Sequence, residues 1–303
     1  MRKPALMIGL GEVLWDILPS GKVLGGAPAN FAYMTNVLGE EGIVASRVGN
    51  DELGREACEV IQRLGLNTSY VQRDPEHETG TAAVSIDASG QPNFTIREPV
   101  AWDFLQWTAE WEELSSRADV ICFGSLAQRS PESALAIESF LRNAPAKALR
   151  ICDVNLRQSF YNRDVLWKSF QQADIVKLNE QELLQISFLL NLGTGTEEML
   201  AKRLLAESKL RLVCITLGNR GSLLVSERQT VEHSGFHVEV ADAVGAGDAF
   251  TACMAHHYLR GHSLGEISES ANRFASWVAT QTGATPTIST DQLRNILSGG
   301  ALQ

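Results

Sequence analysis

The sequence has no apolar run long enough to cross a membrane, and its cysteines follow neither a pairing pattern nor a metal-ligand spacing. The apolar stretch near the first residue is broken by glycine and glutamate within residues 9–12, and no small-residue cleavage site follows, so no secretory signal is expected. The 5 cysteines are scattered, and those in strand-like apolar runs are predicted to be buried thiols in a reducing compartment. These absences predict a cytoplasmic protein with no membrane partner and no zinc site.

Positive charge is in deficit, with 26 lysines and arginines against 36 aspartates and glutamates and a net charge of -10. This balance disfavours nucleic acid and anionic membranes as partners. An anionic ligand must therefore be held by local cations and backbone amides. The 303 residues, 44% hydrophobic and 20% charged, are typical of a globular chain and fit one α/β domain with a small addition.

Two common phosphate-binding loops are missing from the chain. Gly21-Lys22 is followed by Val23 instead of serine or threonine, so it does not match a Walker-type loop. Gly9-Leu-Gly11 lacks the third glycine of a dinucleotide fingerprint. A nicotinamide-dependent enzyme built on residues 9–11 is an alternative that an absence of nicotinamide binding would exclude.

A glycine-rich turn is the best phosphate-binding candidate in the sequence. In Asp242-Ala-Val-Gly-Ala-Gly-Asp248, Gly245 and Gly247 permit a sharp turn, and a helix is predicted over residues 245–260. The first amides of a helix lack internal partners and attract anions. The amides of Gly245, Ala246 and Gly247 would hold the group under attack while Asp248 accepts a hydroxyl proton, which is the arrangement of phosphoryl transfer. The alternative is an ordinary helix start whose first-turn acid favours the dipole.

Apolar runs of strand length alternate with helical stretches from residue 120 onward, which predicts a parallel sheet wrapped by helices. The predicted strands are 120–123, 151–154, 175–178 and 212–216, with a hairpin at 221–226 and 230–233. The predicted helices are 131–142, 164–172, 180–190, 196–208, 264–282 and 291–297. Shorter strands at 15–24, 81–87 and 93–97, the last two joined by a turn at 88–91, predict a second, small sheet.

Polar residues near the first predicted helix are suited to hold hydroxyl groups. Asp16 interrupts an apolar strand, and its carboxylate can accept from two hydroxyls at once. Gly25 and Gly26 allow close backbone approach to a ligand, and Asn30 offers both a donor and an acceptor. The alternative is a plain helix N-terminus with Pro28 in its first turn.

These two segments, residues 242–248 and Gly25-Gly-Ala-Pro-Ala-Asn30, resemble the two signatures of the ribokinase-like (PfkB) carbohydrate kinases and are most similar to the bacterial fructokinases. The resemblance implies a three-layer α/β/α core with a mainly parallel sheet and a small β-sheet lid. It implies one domain over 1–303, with the core at 1–11, 25–81 and 106–303 and the lid at about 12–24 and 82–105. In relatives such lids also pair between subunits, so a homodimer through the lid is an expectation.

The resemblance also implies roles for individual residues. The sugar would be held by Asp16, Gly25, Gly26, Asn30 and Asn155, with Arg97 as a lid cation. The nucleotide would meet Arg157, Lys177, Asn179, Glu182, Thr216, Gly218, Gly221 and Asn272. Glu182 would contact Mg²⁺ through water, and a K⁺ ion would lie near Asp242, Val244, Val278, Gln281, Gly283 and Thr287.

Local alternatives exist for three of these residues. Asn179 and Glu182 have the spacing of a helix cap with a first-turn acid, and this reading fits the sequence equally well. Arg157 fits a surface salt bridge.

The implied activity is ATP-dependent phosphorylation of a primary hydroxyl of a small sugar, with Asp248 as a weak, ionised base. Fructose is favoured, because Ala27-Pro-Ala-Asn30 resembles fructokinases and ribokinases more typically carry a lysine in this turn. The alternatives are 2-dehydro-3-deoxygluconate kinase, another sugar or nucleoside kinase of the family, and a catalytically silent sugar- or nucleotide-binding protein on the same fold.

Overall fold

The structure, a computed structural model, describes residues 3–19, 21–86 and 92–302. The turn predicted at 88–91 lies outside the described residues. Within the described part, the chain forms one sheet of 9 strands and a second sheet of 4 strands.

The strands of both sheets are short and most are buried along their length. In chain order they are β1 (Leu6–Leu10), β2 (Leu14–Leu18), β3 (Gly21–Gly25), β4 (Glu41–Gly49), β5 (Val71–Asp74), β6 (Gly80–Ile86), β7 (Pro92–Ile96), β8 (Val120–Phe123), β9 (Leu149–Asp153), β10 (Ile175–Asn179), β11 (Leu212–Thr216), β12 (Ser222–Val225) and β13 (Thr230–His233).

The α-helices begin mostly at side-chain caps, such as the Asp51 carboxylate that accepts from the Gly54 amide. In chain order they are α1 (Ala27–Val37), α2 (Glu52–Arg63), α3 (Ala109–Ser116), α4 (Pro131–Asn143), α5 (Arg163–Gln172), α6 (Glu180–Leu189), α7 (Glu197–Ser208), α8 (Ala246–Leu259), α9 (Leu264–Ala279) and α10 (Thr290–Leu297). None of the helices in the described ranges combines the length and the hydropathy that a membrane-spanning segment requires.

The large sheet runs in the order β13-β12-β11-β10-β9-β8-β1-β4-β5. All neighbours are parallel except at one edge, where β12 pairs antiparallel with β11 and with β13. The carboxyl ends of β1, β8, β9, β10 and β11 therefore meet along one edge, which is where open α/β sheets bind ligands.

Helices cover both faces of this sheet, as the strand β1 makes clear. Its residues alternate between two apolar clusters: Ile8 packs with Phe140 of α4 on one face, and Met7 packs with Phe31 of α1 on the other. Helices α3–α7 lie on the first face, and α1, α2 and α8–α10 on the second. The predicted three-layer α/β/α core is confirmed.

The small sheet has the order β3-β2-β6-β7, and hydrogen bonds attach it to the core. The Trp15 indole donates to the Leu53 carbonyl of α2 (2.9 Å), and the Ile96 amide donates to the Gln158 side chain beyond β9 (2.9 Å). The sheet is thereby held at the carboxyl edge of the core strands. The predicted second small sheet is confirmed.

The predicted core strands and helices agree with the structure to within a few residues at each end. Strand β5 and helix α3 were not predicted. Strand β5 is a four-residue edge strand that contains polar residues. Helix α3 is short, and its acidic residues interrupt the apolar pattern that the buried Trp111 and Leu114 would otherwise form. Neither presents a clear apolar period.

Candidate active site

The turn before α8 has the conformation that the sequence predicts. Gly245 is the N-cap, with φ 81°, and a Cβ at this position would lie 2.6 Å from the Ala284 Cα. Both the left-handed backbone and the close contact require glycine. Helix α8 then begins at Ala246, and Asp248 lies in its first turn.

The amides of this turn are only partly free. The Ala246 amide donates to the Ala243 carbonyl (3.3 Å), so the prediction that it holds a phosphoryl group is weakened by an internal acceptor. Within the described residues, the amides of Gly245 and Gly247 have no acceptor. Two of the three predicted donors thus remain available to an anion.

Asp248 is held by the first helix of the chain. The Asn30 side-chain amide of α1 donates to Oδ2 of Asp248 (2.8 Å). The pKa of Asp248 is raised to about 6: burial and the charge of Asp153 raise it, and the Asn30 hydrogen bond and the cations Lys177 and Arg157 lower it. Asp248 is therefore a stronger base than its place at a helix start predicts, yet it is mostly ionised above pH 7.

A buried polar network lies under the turn. The Lys177 ammonium donates to both carboxylate oxygens of Asp153 (3.0 and 3.2 Å). The Thr251 hydroxyl of α8 is 2.8 Å from Asp153 Oδ2 and 3.0 Å from the Gly247 carbonyl, and donates to one of them at a time. Burial alone would lower the pKa of Lys177, but the carboxylates of Asp153, Glu182 and Asp248 raise it above its usual value, so the lysine is charged.

Lys177 was predicted to meet the nucleotide, but the structure places it behind the turn and in an ion pair. The residue is only 7% exposed, so direct contact between its ammonium group and a nucleotide is not supported.

The residues predicted to bind the sugar lie close together where β2 and β3 meet α1. A Cβ on Gly25 would lie 2.6 Å from Asp16 Oδ2, so this glycine leaves space for the carboxylate. Gly26, with φ 119°, lies against the Glu12 carbonyl. Burial raises the pKa of Asp16, and the positive charge of Arg157 opposes the shift. The structure thus brings together the predicted sugar-binding residues Asp16, Gly25, Gly26 and Asn30.

The segment after β9 contains two of the predicted site residues, Asn155 and Arg157. Asn155 is partly exposed and has a left-handed backbone, φ 48°. Arg157 is exposed, and its charge lowers the pKa of Asp16, Asp248 and Glu12. Arg157 therefore lies close to the acid residues of the site, and the alternative of a surface salt bridge has no support among the described residues.

Arg97 is not brought into this group. It forms an ion pair with Glu78, and its side chain is 59% exposed. The expectation that it reaches the sugar is not supported, because the residue before it, Ile96, is the one that faces the interior.

Asn179 and Glu182 form the helix cap that the sequence allowed as an alternative. Asn179 Oδ1 accepts from the Glu182 amide (2.9 Å), and Glu182 Oε2 accepts from the Asn179 amide (2.8 Å). Glu182 Oε1 accepts from the Leu156 amide (2.9 Å). Both oxygens of this buried carboxylate are engaged, so it does not fit a direct Mg²⁺ ligand.

The residues predicted to bind the nucleotide base differ in their surroundings. Thr216 and Gly218 lie at the end of β11, and a Cβ on Gly218 would meet open space. A Cβ on Gly221 would lie 2.0 Å from the His233 carbonyl, so that glycine serves packing against the strand β13 and not a base.

Asn272 was also predicted to contact the base, but it lies inside the protein. The residue is 5% exposed, and its amide donates to the Ser222 hydroxyl and to the Ser268 carbonyl, both at 2.7 Å. Asn272 therefore joins α9 to β12.

The segment predicted to hold K⁺ does lie beside the turn. Asp242 accepts from the Val244 amide (3.0 Å) and from the Gly283 amide (3.1 Å), and the amides of residues 241 and 242 donate to the Ala279 carbonyl. Val278 is buried, and its carbonyl accepts from the Gln281 amide; the Tyr33 hydroxyl donates to the carbonyl of Pro286, the residue before Thr287 (2.9 Å). The two segments meet, and the cation itself remains a prediction.

Sequence reasoning missed three residues of the site: Glu12, Asp153 and Thr251. Glu12 follows β1, and Asp153 ends β9, so each is a carboxylate at the carboxyl edge of a buried strand. That pattern was the available signal. Thr251 carried no signal, because a threonine inside a helix commonly bonds the preceding turn.

A mostly parallel α/β core, free amides at a helix start and a carboxylate beside them define an enzyme that phosphorylates a small molecule. The chain matches the model of pfkB family carbohydrate kinases over residues 20–291. This match covers most of the chain, and the protein belongs to that family of carbohydrate kinases.

Known proteins resemble the whole chain. A fructokinase from Vibrio alginolyticus is 29% identical over 291 residues, which cover 90% of this chain and 92% of that protein. A fructokinase from Xylella fastidiosa with bound ATP superimposes with a TM-score of 0.84 at 23% identity, covering 98% and 99% of the two chains. A 2-dehydro-3-deoxygluconokinase from Thermotoga maritima gives 0.82 at 18% identity, covering 99% of each. The ribokinase-like fold is shared by both structures, so the fold does not select the sugar.

Proposed function

We propose that this protein transfers the γ-phosphoryl group of ATP to a primary hydroxyl of fructose. The observation that carries the proposal is the position of Asp248. It is fixed by Asn30 at 2.8 Å and stands one residue after Gly247, whose amide has no acceptor within the described residues. A base and an anion-binding donor are thereby adjacent.

The proposed reaction assigns a separate role to each group of residues. Asp16, Gly26 and Asn30 hold the hydroxyls of the sugar, and Asp248 takes the proton of the attacking hydroxyl. The amides of Gly245 and Gly247 receive the charge of the transferring group.

Charge behind the turn supports this division. The Lys177 ammonium, fixed by Asp153, adds a positive charge below the turn. Mg²⁺ neutralises phosphate charge when it is bound, and the engaged oxygens of Glu182 indicate that it would be held by phosphates and water more than by this carboxylate.

Fructose is favoured over an acidic sugar by the charge of the site. The acids Asp16, Glu12 and Asp248 lie near the exposed Arg157, whose charge lowers the pKa of all three. Arg97, the cation that a sugar acid would need in the lid, is paired with Glu78. A carboxylate on the substrate would add negative charge to a site where three acids already share Arg157.

The test is a panel of sugars with ATP, followed by coupled detection of ADP. Fructose should give the highest kcat/KM, 2-dehydro-3-deoxygluconate and ribose much lower values, and Asp248→Asn should lower turnover on fructose by about 10²–10⁴. A higher kcat/KM for 2-dehydro-3-deoxygluconate than for fructose would make the sugar acid the proposed substrate. Binding of sugar and ATP without ADP release would indicate the silent binding protein.

A further inference from the structure

Glu12 is a buried carboxyl group of the site to which the proposed reaction gives no role. It follows β1 and is 2% exposed. Its oxygen Oε2 has no hydrogen-bond partner among the described residues. A buried polar atom without a partner is costly, so a native structure that keeps one has a use for it.

Glu12 and Asp248 line the same small cavity. The cavity is lined by Glu12, Asp153, Asp248 and Thr251 together with apolar residues of α1 and β8, and its volume is about 10 Å³. This is close to the space that one water molecule needs, and polar groups of several residues line it. A hydrogen bond from Glu12 to Asp248 through one water fits this space.

The charged groups around Glu12 decide where the proton lies. Arg157 faces it from beyond β9, Asp153 from the end of β9 and Asp248 from α8; Cys122 of β8 lines the same cavity as a neutral thiol. Burial raises the pKa of Glu12 to about 7; its own amide and Arg157 lower it, and Asp248 and Asp153 raise it. Asp248, with a pKa of about 6, loses its proton first.

We propose that Glu12 is a positioning residue that keeps its proton while Asp248 is ionised and donates it across the cavity toward that carboxylate. This inference rests on the proposed role of Asp248 as the base. The donated hydrogen bond fixes the base and stabilises its ionised form from the side opposite the sugar. When Glu12 loses its proton, the donor is replaced by a second negative charge next to the base.

The first readout is the pH dependence of turnover on fructose. A hydrogen bond to a charged group corresponds to roughly tenfold or more in rate. Turnover of the native enzyme should therefore rise through pH 6 as Asp248 ionises, and fall by roughly tenfold through pH 7 as Glu12 ionises. Glu12→Gln keeps a hydrogen-bond donor that cannot titrate. Its turnover should therefore still rise through pH 6 but should not fall through pH 7. Glu12→Leu removes the donor and should be at least about tenfold slower than Glu12→Gln at pH 6.5.

The second readout does not depend on activity. A carboxyl group with a pKa of 4.5 when unfolded and about 7 when folded binds more protons in the folded state between these values. Its stabilising effect is complete below pH 4.5 and is lost as the pH rises to 7. The urea midpoint of the native protein should therefore fall between pH 5 and 8, and that of Glu12→Gln should fall less.

The outcomes separate the two proposals. If no sugar is phosphorylated, the proposed function fails, and the urea midpoints still decide whether Glu12 holds a proton. If fructose is phosphorylated but Glu12→Gln retains the fall near pH 7, or Glu12→Leu equals Glu12→Gln, the role of Glu12 is overturned. Equal slopes of the urea midpoint with pH in the native protein and Glu12→Gln would also overturn it.

Discussion

The Lys177 ammonium lies directly behind Gly247: a Cβ added to this glycine would stand 3.0 Å from the lysine Nζ. The same nitrogen is bound to Asp153, which also contacts Thr251 of α8. The start of α8 therefore rests on a buried ion pair from β9 and β10. A positive charge beneath the turn adds to the helix dipole and strengthens the attraction for an anion above it.

Replacing Lys177 with methionine should damage both stability and turnover. The change leaves the Asp153 carboxylate buried without a cation, which typically costs about 3–5 kcal/mol. Turnover should fall by about 10²-fold, the scale of one lost electrostatic contact to the transferring group. Urea unfolding and steady-state kinetics on the same preparation measure the two effects.

The double variant Lys177→Met with Asp153→Leu is the control for that change. Replacing a buried ion pair by apolar residues of similar size often restores stability, so the urea midpoint should recover. Turnover should stay low, because the charge under Gly247 is still missing. Recovery of both would show that Lys177 serves folding alone.

The decrease of kcat/KM at acidic pH, its acidic limb, should follow the protonation of Asp248. Its pKa of about 6 means that the base is protonated below pH 6, so kcat/KM should fall about tenfold per pH unit there. Asp153 raises this pKa and Lys177 lowers it. Asp153→Asn should therefore move the limb to lower pH, and Lys177→Met to higher pH; shifts in the same direction would contradict the assignment.

Sequence reasoning predicted several polar residues that the structure brings together in the candidate site. Asp16, Asn30 and Asp248 are polar residues at sharp breaks in apolar patterns, next to glycines that a turn requires. Their types alone restrict what they can do, and the structure brings them together at the carboxyl edge of the sheet.

Residues whose role depends on a partner far away in the chain could not be placed in this way. Asn272 is a polar residue on a predicted helix, and only the tertiary contact with Ser222 shows that it faces inward. Lys177 pairs with Asp153, 24 residues away, and so lies under the turn instead of on its surface. The pKa of Asp248 likewise follows from burial, which a local pattern does not contain.

Gly247→Val should disable the anion site, and its urea midpoint is measured beside its turnover because a Cβ there would stand 3.0 Å from the Lys177 Nζ. A side chain here would press on Lys177 from above and shield the free Gly247 amide, and one lost donor of this kind costs about 10²–10³-fold in turnover. Gly265→Ala is a matched control, since a Cβ on this glycine of α9 would meet only the Ser263 hydroxyl, at 4.0 Å. It should leave turnover unchanged. Near-normal turnover of Gly247→Val would argue against phosphate binding at this turn.

Potassium should raise turnover through the segment tied to Asp242. This carboxylate accepts from the amides of Val244 and Gly283 and so joins the loop after α9 to the turn before α8. A cation held by carbonyls of these segments would act on the turn electrostatically and by fixing its shape.

The measurement replaces choline chloride by NaCl or KCl at constant ionic strength, with fructose and ATP saturating. Turnover should be several-fold higher in KCl than in either other salt. Asp242→Asn removes the charge but keeps a side chain of the same size, so it should abolish the potassium effect and lower the rate in KCl toward the choline rate. Equal rates of the native enzyme in the three salts would mean that Asp242 serves only to join the two loops.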